Sequence, residues 1–368
     1  MKLNVGTRKG LFQFDLTGGR VEAAGHAHLG DPVTFTRFDA RSGTLWSCMS
    51  LGHFGPKLRR STDGGETWEE TATPEYPEPG PEETDEDPIR GEVRPWTLGP
   101  IWSFEAGLAD QPGRLWLGAM PGGLFRSDDN GESWELVRGL WDHPDRKKWF
   151  GGGADHPVIH SICVDPRDGR KVLVAVSCGG VWMTEDDGQT WECTSTGMRA
   201  EYMPPEQAYD LPIQDPHLVV RSAANPDRLW CQHHNGMYRS DDGGRSWVEF
   251  KDVEPSTFGF AVATHPEQPD TAWFVPAVSD QMRVTADGRM LVNRTRDGGA
   301  SFQNLTAGLP EPPAWDIVFR HALDVGPRGQ VLVLGSSTGS LWCSWDGGDS
   351  FELVSAHLPQ IYSVELVS

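Results

Sequence analysis

The sequence predicts an all-β protein, and more specifically a seven-bladed β-propeller that forms a single domain over residues 1–368. Two observations support this prediction. The 368 residues include 43 glycines, 28 prolines and 16 tryptophans, a composition typical of many short strands joined by tight turns. In addition, one turn sequence recurs six times along the chain, which indicates a repeat architecture.

The recurring turn has the form Ser/Thr-x-Asp-x-Gly-x-Ser/Thr-Trp/Phe. Its six copies begin at Ser61, Ser127, Thr184, Ser240, Thr295 and Ser344. The Asp side chain accepts backbone N–H groups of its own turn, the Gly adopts a positive φ, and the aromatic residue enters the core. This turn is therefore a folding device and not a catalytic motif.

All six copies match the Asp box, and the chain resembles the BNR or Asp-box repeat proteins of the sialidase-like superfamily along essentially its whole length. The resemblance implies that each box closes the hairpin between the two outer strands of a propeller blade. It does not imply one activity, because sialidases, xyloglucan hydrolases, a photosystem II assembly factor and sorting receptors all carry the box.

A seventh unit is divided between the two ends of the chain. Residues 3–14, LNVGTRKGLFQF, resemble 115–127, LWLGAMPGGLFRS, but no innermost strand precedes them. The C-terminal segment IYSVELVS supplies that strand. A blade built from both termini closes the ring and removes exposed sheet edges. We therefore predict seven blades closed by N- and C-terminal strands, with six blades as the alternative.

The charge of the chain excludes two classes of partner. A formal net charge of −21 repels phosphate groups, so we expect no nucleic acid and no anionic membrane as a partner. The N-terminus lacks the apolar core of a signal peptide, and no apolar run approaches membrane-spanning length. We expect a cytoplasmic protein whose six cysteines are buried free thiols.

Three inserts precede innermost strands and are therefore predicted to overhang one face of the ring, the top face. They comprise residues 73–95, 140–158 and 199–216. The first is rich in proline and acidic residues, and we expect it to be irregular or mobile.

Alignment of the innermost strands places seven residues at one register position: Thr34, Ser103, His160, His217, Phe260, His321 and Tyr362. An innermost strand begins at the top of the central channel, so these side chains are expected to form a ring around the axis. The turn between the second and third strands lies on the same face. It carries His233 and His234 in one unit and His53 in another.

Neutral imidazoles that converge in this way suit Zn, Fe, Cu or Mn. We predict that His160, His217 and His321 bind a divalent transition metal, with His234 as a fourth ligand or facing the substrate. The alternative is that these histidines hydrogen-bond to channel waters or to backbone carbonyls.

Further candidates surround this ring. Glu105, Asp155, Asp215 and Tyr362 are the predicted acid, base or orienting groups. The predicted substrate-binding residues are His53, His233, Arg221 and Arg320, the two arginines because guanidinium binds carboxylates in a bidentate manner.

The favoured function is a metal-dependent enzyme that acts on a small molecule by hydrolytic or oxidative chemistry. A first alternative is a metal-free glycoside hydrolase of sialidase-like type with a sugar substrate. Sialidases themselves carry an Arg-Ile-Pro motif that this sequence lacks, and the ring offers one tyrosine, Tyr362. A second alternative is a non-catalytic interaction or assembly propeller.

Overall fold

The computed structural model describes residues 1–80 and 83–368. In this part of the chain, seven antiparallel sheets of four strands form the blades of one β-propeller, as predicted from the sequence. Three strands of the first blade, blade A, lie at the N-terminus: β1 (Lys2–Thr7), β2 (Gly10–Thr17) and β3 (Arg20–Ala27).

Blades B to G follow, each with its strands in chain order from the channel outward. Blade B consists of β4 (Val33–Asp39), β5 (Thr44–Ser50), β6 (Pro56–Ser61) and β7 (Glu69–Thr71). Blade C consists of β8 (Ile101–Ala106), β9 (Leu115–Ala119), β10 (Gly123–Ser127) and β11 (Glu135–Leu136). Blade D consists of β12 (Ile159–Asp165), β13 (Asp168–Val176), β14 (Gly180–Thr184) and β15 (Glu192–Cys193). Blade E consists of β16 (Pro216–Arg221), β17 (Leu229–His233), β18 (Gly236–Ser240) and β19 (Val248–Phe250). Blade F consists of β20 (Gly259–Thr264), β21 (Ala272–Pro276), β22 (Val292–Thr295) and β23 (Gln303–Leu305). Blade G consists of β24 (Leu323–Val325), β25 (Leu332–Gly335), β26 (Leu341–Ser344) and β27 (Glu352–Ser355). The last strand is β28 (Ile361–Val367).

Helical structure is confined to short segments between strands. One turn of α-helix, α1, spans Arg138–Trp141. The 3₁₀ segments are Gly52–Phe54, Pro144–Lys148, Leu211–Ile213 and Ala286–Gly288. None of the helices in the described residues is long and apolar enough to cross a membrane.

The ring closes through the two ends of the chain. Strand β28 is the innermost strand of blade A and pairs antiparallel with β1, from Lys2 opposite Val367 to Thr7 opposite Ile361. The prediction of a blade shared by both termini is confirmed, and the six-bladed alternative is wrong. Closure leaves each sheet with a neighbour on both sides, which is the arrangement that protects strand edges in a propeller.

The six Asp boxes form the hairpins between third and fourth strands. In blade E the Ser240 hydroxyl donates to Asp242 over 2.8 Å, and the Gly244 N–H donates to the Ser240 Oγ over 2.9 Å. The N–H and hydroxyl of Ser246 donate to the same Asp242 carboxylate over 3.0 and 2.6 Å. Equivalent hydrogen bonds occur in the other five boxes.

The core lies between the blades and not within one sheet. Trp46, Trp116, Trp230 and Trp273 occupy the same position in the second strands of their blades, and each is 1% exposed or less. Both faces of a second strand are covered by neighbouring blades, which explains why these strands are almost wholly apolar. The six cysteines are free, five of them buried and Cys193 partly buried, as expected.

The inserts 73–95 and 140–158 are joined by buried contacts. Residues 81–82, within the first insert, lie outside the described residues. Asp85 is 4% exposed and pairs with Arg146 over 2.8 Å and with Arg94 over 3.6 Å. The Tyr76 hydroxyl accepts the Gly123 N–H over 2.8 Å. The described part of the first insert is irregular, as expected, but these contacts anchor it to the blades, which the expectation of mobility did not foresee.

Ring closure generates the first prediction. Deletion of residues 360–368 removes β28, exposes the edge of β1 and takes the buried Ile361 and Val364 out of the core. We expect loss of folding or a large fall in melting temperature, measured by circular dichroism. Deletion of Ser368 alone, which follows β28, is the control and leaves the melting temperature unchanged. An unchanged melting temperature for the longer deletion would contradict closure by β28.

The Asp box generates the second prediction. Asp242→Ala removes the carboxylate that accepts four hydrogen bonds, and it should lower the free energy of unfolding by about 1–3 kcal/mol. Asp241→Ala is the matched control, because Asp241 lies on the surface and makes ion pairs with Arg228 and Arg239, which contribute about 0–1 kcal/mol. Urea denaturation of both variants measures the difference, and equal losses would contradict the structural role of the box.

The acid stability of the boxes gives a third prediction. The hydroxyl and N–H of Ser301 lower the pKa of Asp297 to about 2. A carboxyl group whose pKa is depressed by folding stabilises the native state above its unfolded pKa of about 3.9, and this stabilisation is lost as the pH falls toward the folded pKa. The free energy of unfolding should therefore fall between about pH 4 and 2, and less steeply in Asp297→Asn. Identical slopes in urea titrations over this range would refute this assignment.

Candidate functional site

A β-bulge or register shift lies near the start of six of the seven innermost strands, at the top of the channel; β24 has none. In β16, for example, Pro216 pairs with His233 and Leu218 pairs with Gln232. His217 is therefore opposite no residue of the neighbouring strand β17. The same register shift leaves out one residue in β4, β8, β12 and β28: Thr34, Trp102, His160 and Tyr362. In β20 the shift spans Phe260. A bulge redirects the side chain of the extra residue, here at the top of the channel.

This bulge position corrects one member of the predicted ring. Ile101 pairs with Ala119 and Ser103 with Gly118, so the bulged residue of blade C is Trp102. Ser103 is 3% exposed, and its hydroxyl donates to the Ile159 carbonyl over 2.8 Å. The large aromatic side chain at this place was missed because the alignment shifted blade C by one residue.

The three histidines of the ring do not bring their imidazoles to one point. His160 is 0% exposed, its Nδ1 lies 3.0 Å from the Ser161 hydroxyl, and burial holds its pKa well below the usual value. The Nε2 of His321 lies 2.9 Å from the His160 carbonyl. His217 stacks on Phe260 with ring centroids 4.8 Å apart. Of the predicted metal ligands, His160 and His321 contact groups of the channel wall, and neither belongs to the described donor group that contains His217.

A different donor group forms around Asp215. Among the described residues, Asp215, His217 and His234 form the group of potential metal ligands whose donor atoms all lie within 4.8 Å of one another. The Oδ2 of Asp215 is 3.4 Å from His217 Nε2 and 3.2 Å from His234 Nδ1. We call these three residues the Asp–His–His cluster. Two imidazoles and one carboxylate are a donor set that suits divalent transition metals.

Local structure explains how the cluster forms. Asp215 directly precedes β16, His217 is the bulged residue of that strand, and His234 begins the turn between β17 and β18 at the same end. The His234 N–H donates to the Asp215 carbonyl over 2.9 Å, which joins the turn to the strand. All three residues therefore lie at the top end of blade E.

The cluster is buried and charged. Asp215 is 3% exposed, and its Oδ1 accepts the Ser177 hydroxyl over 3.1 Å and the Cys178 N–H over 3.0 Å. Burial opposes ionisation of Asp215, but the contacts with His217 and His234 outweigh it and hold its pKa well below the usual value. Burial also lowers the pKa of His217, against the opposing effect of Asp215. The cluster therefore contains an ionised carboxylate in contact with two imidazoles.

Two adjoining cavities open beside the cluster. The first, which we call the top cavity, has a volume of about 390 Å³, and its lining includes Trp102, Asp215, His217, Phe260, Asp280, Phe319, Arg320 and Tyr362. The second, the side pocket, has about 420 Å³ and includes Phe150, Tyr202, His234 and Asp280 in its lining. Gly153, Asp215 and Asp280 line both cavities, so two carboxylates belong to the wall that the cavities share.

Arg320 is the cationic residue in the top cavity that the sequence also predicted. Its guanidinium carbon lies 5.4 Å from the ring centroids of both Trp102 and Phe260. Burial lowers its pKa to about 10, so it remains protonated at neutral pH. Its Nε has no hydrogen-bond partner among the residues the structure describes. Tyr362 lines the same cavity, and burial raises the pKa of its hydroxyl.

Seven predicted site residues lie outside the lining of the top cavity. His160 lines the deeper channel and His234 lines the side pocket. The other five are Glu105, Arg221, Asp155, His53 and His233. Glu105 and Arg221 are located deeper in the channel, because they are at the far ends of β8 and β16. Glu105 forms an ion pair with Arg37 over 3.0 Å, and Arg221 faces Asp165 over 3.8 Å.

The remaining three differ from expectation for separate reasons. The Asp155 side chain is 93% exposed and faces Arg90 at the outer surface. His53 is exposed in the 3₁₀ turn Gly52–Phe54, with its ring against Phe54. His233 is 0% exposed, with its Nε2 3.1 Å from the Asp215 N–H and its Nδ1 3.0 Å from the Asn235 N–H.

The paired histidines at 233 and 234 have different roles. Successive residues at a strand end point in opposite directions, so the His233 side chain enters the blade while the His234 side chain reaches the cluster.

Sequence reasoning also missed Asp280. This residue lies between β21 and β22, where 15 residues, 277–291, separate the two strands. The unusual length of this connection was the available signal.

Comparisons with known proteins agree with this architecture. The BNR/Asp-box repeat pattern matches residues 59–70, the first box. The chain is 24% identical over 246 residues to an oligoxyloglucan-reducing end-specific xyloglucanase of Emericella nidulans, a match that covers 66% of this chain and 25% of that enzyme. It is 28% identical over 153 residues to a xyloglucanase of Acetivibrio thermocellus, covering 36% of this chain and 16% of that enzyme. The matches thus span a quarter or less of these relatives.

Solved structures share the fold. An ancestral GH74 enzyme superposes with a TM-score of 0.60 at 16% identity, over 87% of this chain and 38% of the other. The GH74 xyloglucanase of Xanthomonas campestris superposes with a TM-score of 0.57 at 19% identity, over 88% of this chain and 45% of the other. YCF48 bound to D1 peptide superposes with a TM-score of 0.53 at 15% identity, over 88% of this chain and 83% of the other. This chain is therefore similar to these proteins in fold, as a seven-bladed propeller with BNR/Asp-box repeats.

Proposed function

We propose that this protein is a glycoside hydrolase that acts on glucan chains of the xyloglucan type in the top cavity. The observation that carries the proposal is a cavity lined by aromatic side chains and by two carboxylates, Asp215 and Asp280. The relatives named above as xyloglucanases support the choice of substrate. They do not support the metal-dependent chemistry on a small molecule that the sequence favoured.

The lining of the top cavity suits a sugar. Trp102, Phe260, Phe319 and Tyr362 offer apolar surface for the C–H face of a pyranose ring. Arg320 lies between Trp102 and Phe260 and supplies N–H donors for hydroxyl groups. A volume of about 390 Å³, extended by the side pocket, accommodates an oligosaccharide and not only one ring.

Glycoside hydrolysis ordinarily uses two carboxyl groups with different roles. Asp215 remains ionised, because four contacts occupy its oxygens and its pKa is well below the usual value. We assign it the electrostatic stabilisation of positive charge that develops on the sugar. Asp280 lies on the 277–291 connection, is partly exposed and pairs with Arg283. We assign it proton exchange with the glycosidic oxygen.

A binding protein without catalysis is the second candidate. One observation favours it: the chain spans 83% of the YCF48 chain that was solved with a bound peptide, but 38–45% of the two GH74 chains. In that case the top cavity binds its ligand and releases it unchanged.

The proposal predicts reducing-end release from xyloglucan oligosaccharides by the purified 368-residue protein. Asp280→Asn retains the shape of the side chain but cannot donate a proton, and general acid catalysis contributes about 10²–10⁴-fold to such reactions. We expect kcat to fall by about this factor while KM changes little. Trp102→Ala removes an aromatic surface and the contact with Arg320, and we expect it to raise KM.

Asp155→Asn is the matched control, because Asp155 also lies on the top face but its side chain is 93% exposed and lies outside the top cavity. It should retain wild-type turnover. Binding of xyloglucan oligosaccharides by calorimetry without reducing-end release would favour the binding protein. Neither binding nor turnover on xyloglucan, cellulose or mixed-linkage glucan would overturn the proposed function.

A further inference from the structure

We infer that the Asp–His–His cluster, Asp215, His217 and His234, binds one divalent transition-metal ion at the wall of the top cavity. The inference rests on the geometry of these residues and not on the proposed glycoside hydrolysis, and it makes Asp215 a metal ligand in place of the free carboxylate assigned there. It also replaces the ligand set expected from the sequence, because His160 and His321 do not belong to this cluster.

Two distances within the cluster are those of ligands that share an ion, and the third, between the two imidazole nitrogens, is within 4.8 Å. The Oδ2 of Asp215 lies 3.4 Å from His217 Nε2 and 3.2 Å from His234 Nδ1. Ligand atoms bonded to one metal at about 2.0–2.2 Å are separated by about 3–3.5 Å when the angles are near tetrahedral or octahedral. A single ion between the three atoms therefore needs only small side-chain adjustments.

The tautomer of His217 provides the strongest argument. Its Nδ1 lies 2.6 Å from the Gly259 carbonyl oxygen, which can only accept, so Nδ1 carries the hydrogen. In a neutral imidazole Nε2 then carries a lone pair, and this lone pair faces the ionised Asp215 carboxylate. Two electron-rich atoms at this distance repel each other unless a cation lies between them. A metal ion bound by both atoms is a cation that fits this position, because the Gly259 carbonyl already holds the hydrogen on Nδ1.

The groups behind the ligands are arranged as in metal sites. A metal-binding histidine usually donates its other ring N–H to a carbonyl or carboxylate, and a ligating carboxylate is itself hydrogen-bonded. His217 donates to Gly259, while the Oδ1 of Asp215 accepts from Ser177 and from the Cys178 N–H. These bonds leave His217 Nε2 and Asp215 Oδ2 directed toward each other and toward His234.

The site would be open and not purely structural. Three protein ligands leave at least one coordination position, and Asp215 and His217 both line the top cavity. Arg320 and Arg283 bring positive charge to this cavity, and Asp280 opposes it. Two imidazoles with one carboxylate fit Zn, Mn, Fe or Cu better than Ca or Mg, whose preferred ligands are oxygen atoms. A water or a substrate hydroxyl is the expected fourth ligand.

The test uses the 368-residue protein, purified without a histidine tag and treated with a chelator. We expect calorimetry to detect one equivalent of Zn²⁺, and Co²⁺ to give the visible absorption of a site with nitrogen ligands. His234→Ala should abolish binding, because it removes a ligand from a partly exposed position where the fold is least affected. Ser177→Ala should weaken binding by about 10–100-fold, because Ser177 orients the ligating carboxylate.

His53→Ala is the matched control: it removes an imidazole from the equivalent turn of blade B, on the same face. It should bind Zn²⁺ like the wild type. His321→Ala should also retain binding, which separates this cluster from the ring of histidines. Melting curves verify folding of each variant. Absence of stoichiometric Zn²⁺ and Co²⁺ binding by the wild type, or wild-type affinity in folded His234→Ala, would overturn the inference. This assay measures metal binding and not sugar turnover. Failure of the metal-site proposal can therefore be distinguished from failure of the proposed glycoside hydrolysis.

Discussion

The pairing of β1 with β28 is the constraint on which the rest of this structure depends. Six residue pairs, from Lys2 opposite Val367 to Thr7 opposite Ile361, join the first strand of the chain to the last. Because they close the ring, every innermost strand has a neighbour on each side and begins at the same rim of one channel. Residues as distant in sequence as Thr34 and Tyr362 consequently line one cavity.

The fold could be predicted from the sequence because its signals are local. Each Asp box satisfies its own hydrogen bonds within a few residues, as Ser240, Asp242 and Ser246 do in blade E. Such a turn needs no distant partner, so its sequence alone identifies it. The divided blade was equally accessible, because the N-terminal segment visibly lacks a strand that the C-terminal segment supplies.

The site was only partly predictable, because strand register does not determine side-chain direction. The alignment correctly placed His217 at the start of β16, and chain order indicated that Asp215 and His234 lie on the same face. What it could not supply was the contact of His321 with the His160 carbonyl, or of His217 with the Gly259 carbonyl. Both contacts join different blades, and each depends on packing that a single sequence does not reveal. The position of the bulge in blade C, which selects Trp102, has the same origin.

The bulges at the top of the channel also have a consequence for how this protein diversifies. A bulged residue pairs with no residue of the neighbouring strand, so its identity is largely released from the needs of the β-sheet. Threonine, tryptophan, histidine, phenylalanine and tyrosine all occupy such positions in this one chain. Mutation there can alter the chemistry at the channel mouth while the Asp boxes, at the opposite ends of the strands, continue to secure the blades. The residues that determine ligand recognition at the channel mouth are thus largely separate from the residues that determine folding.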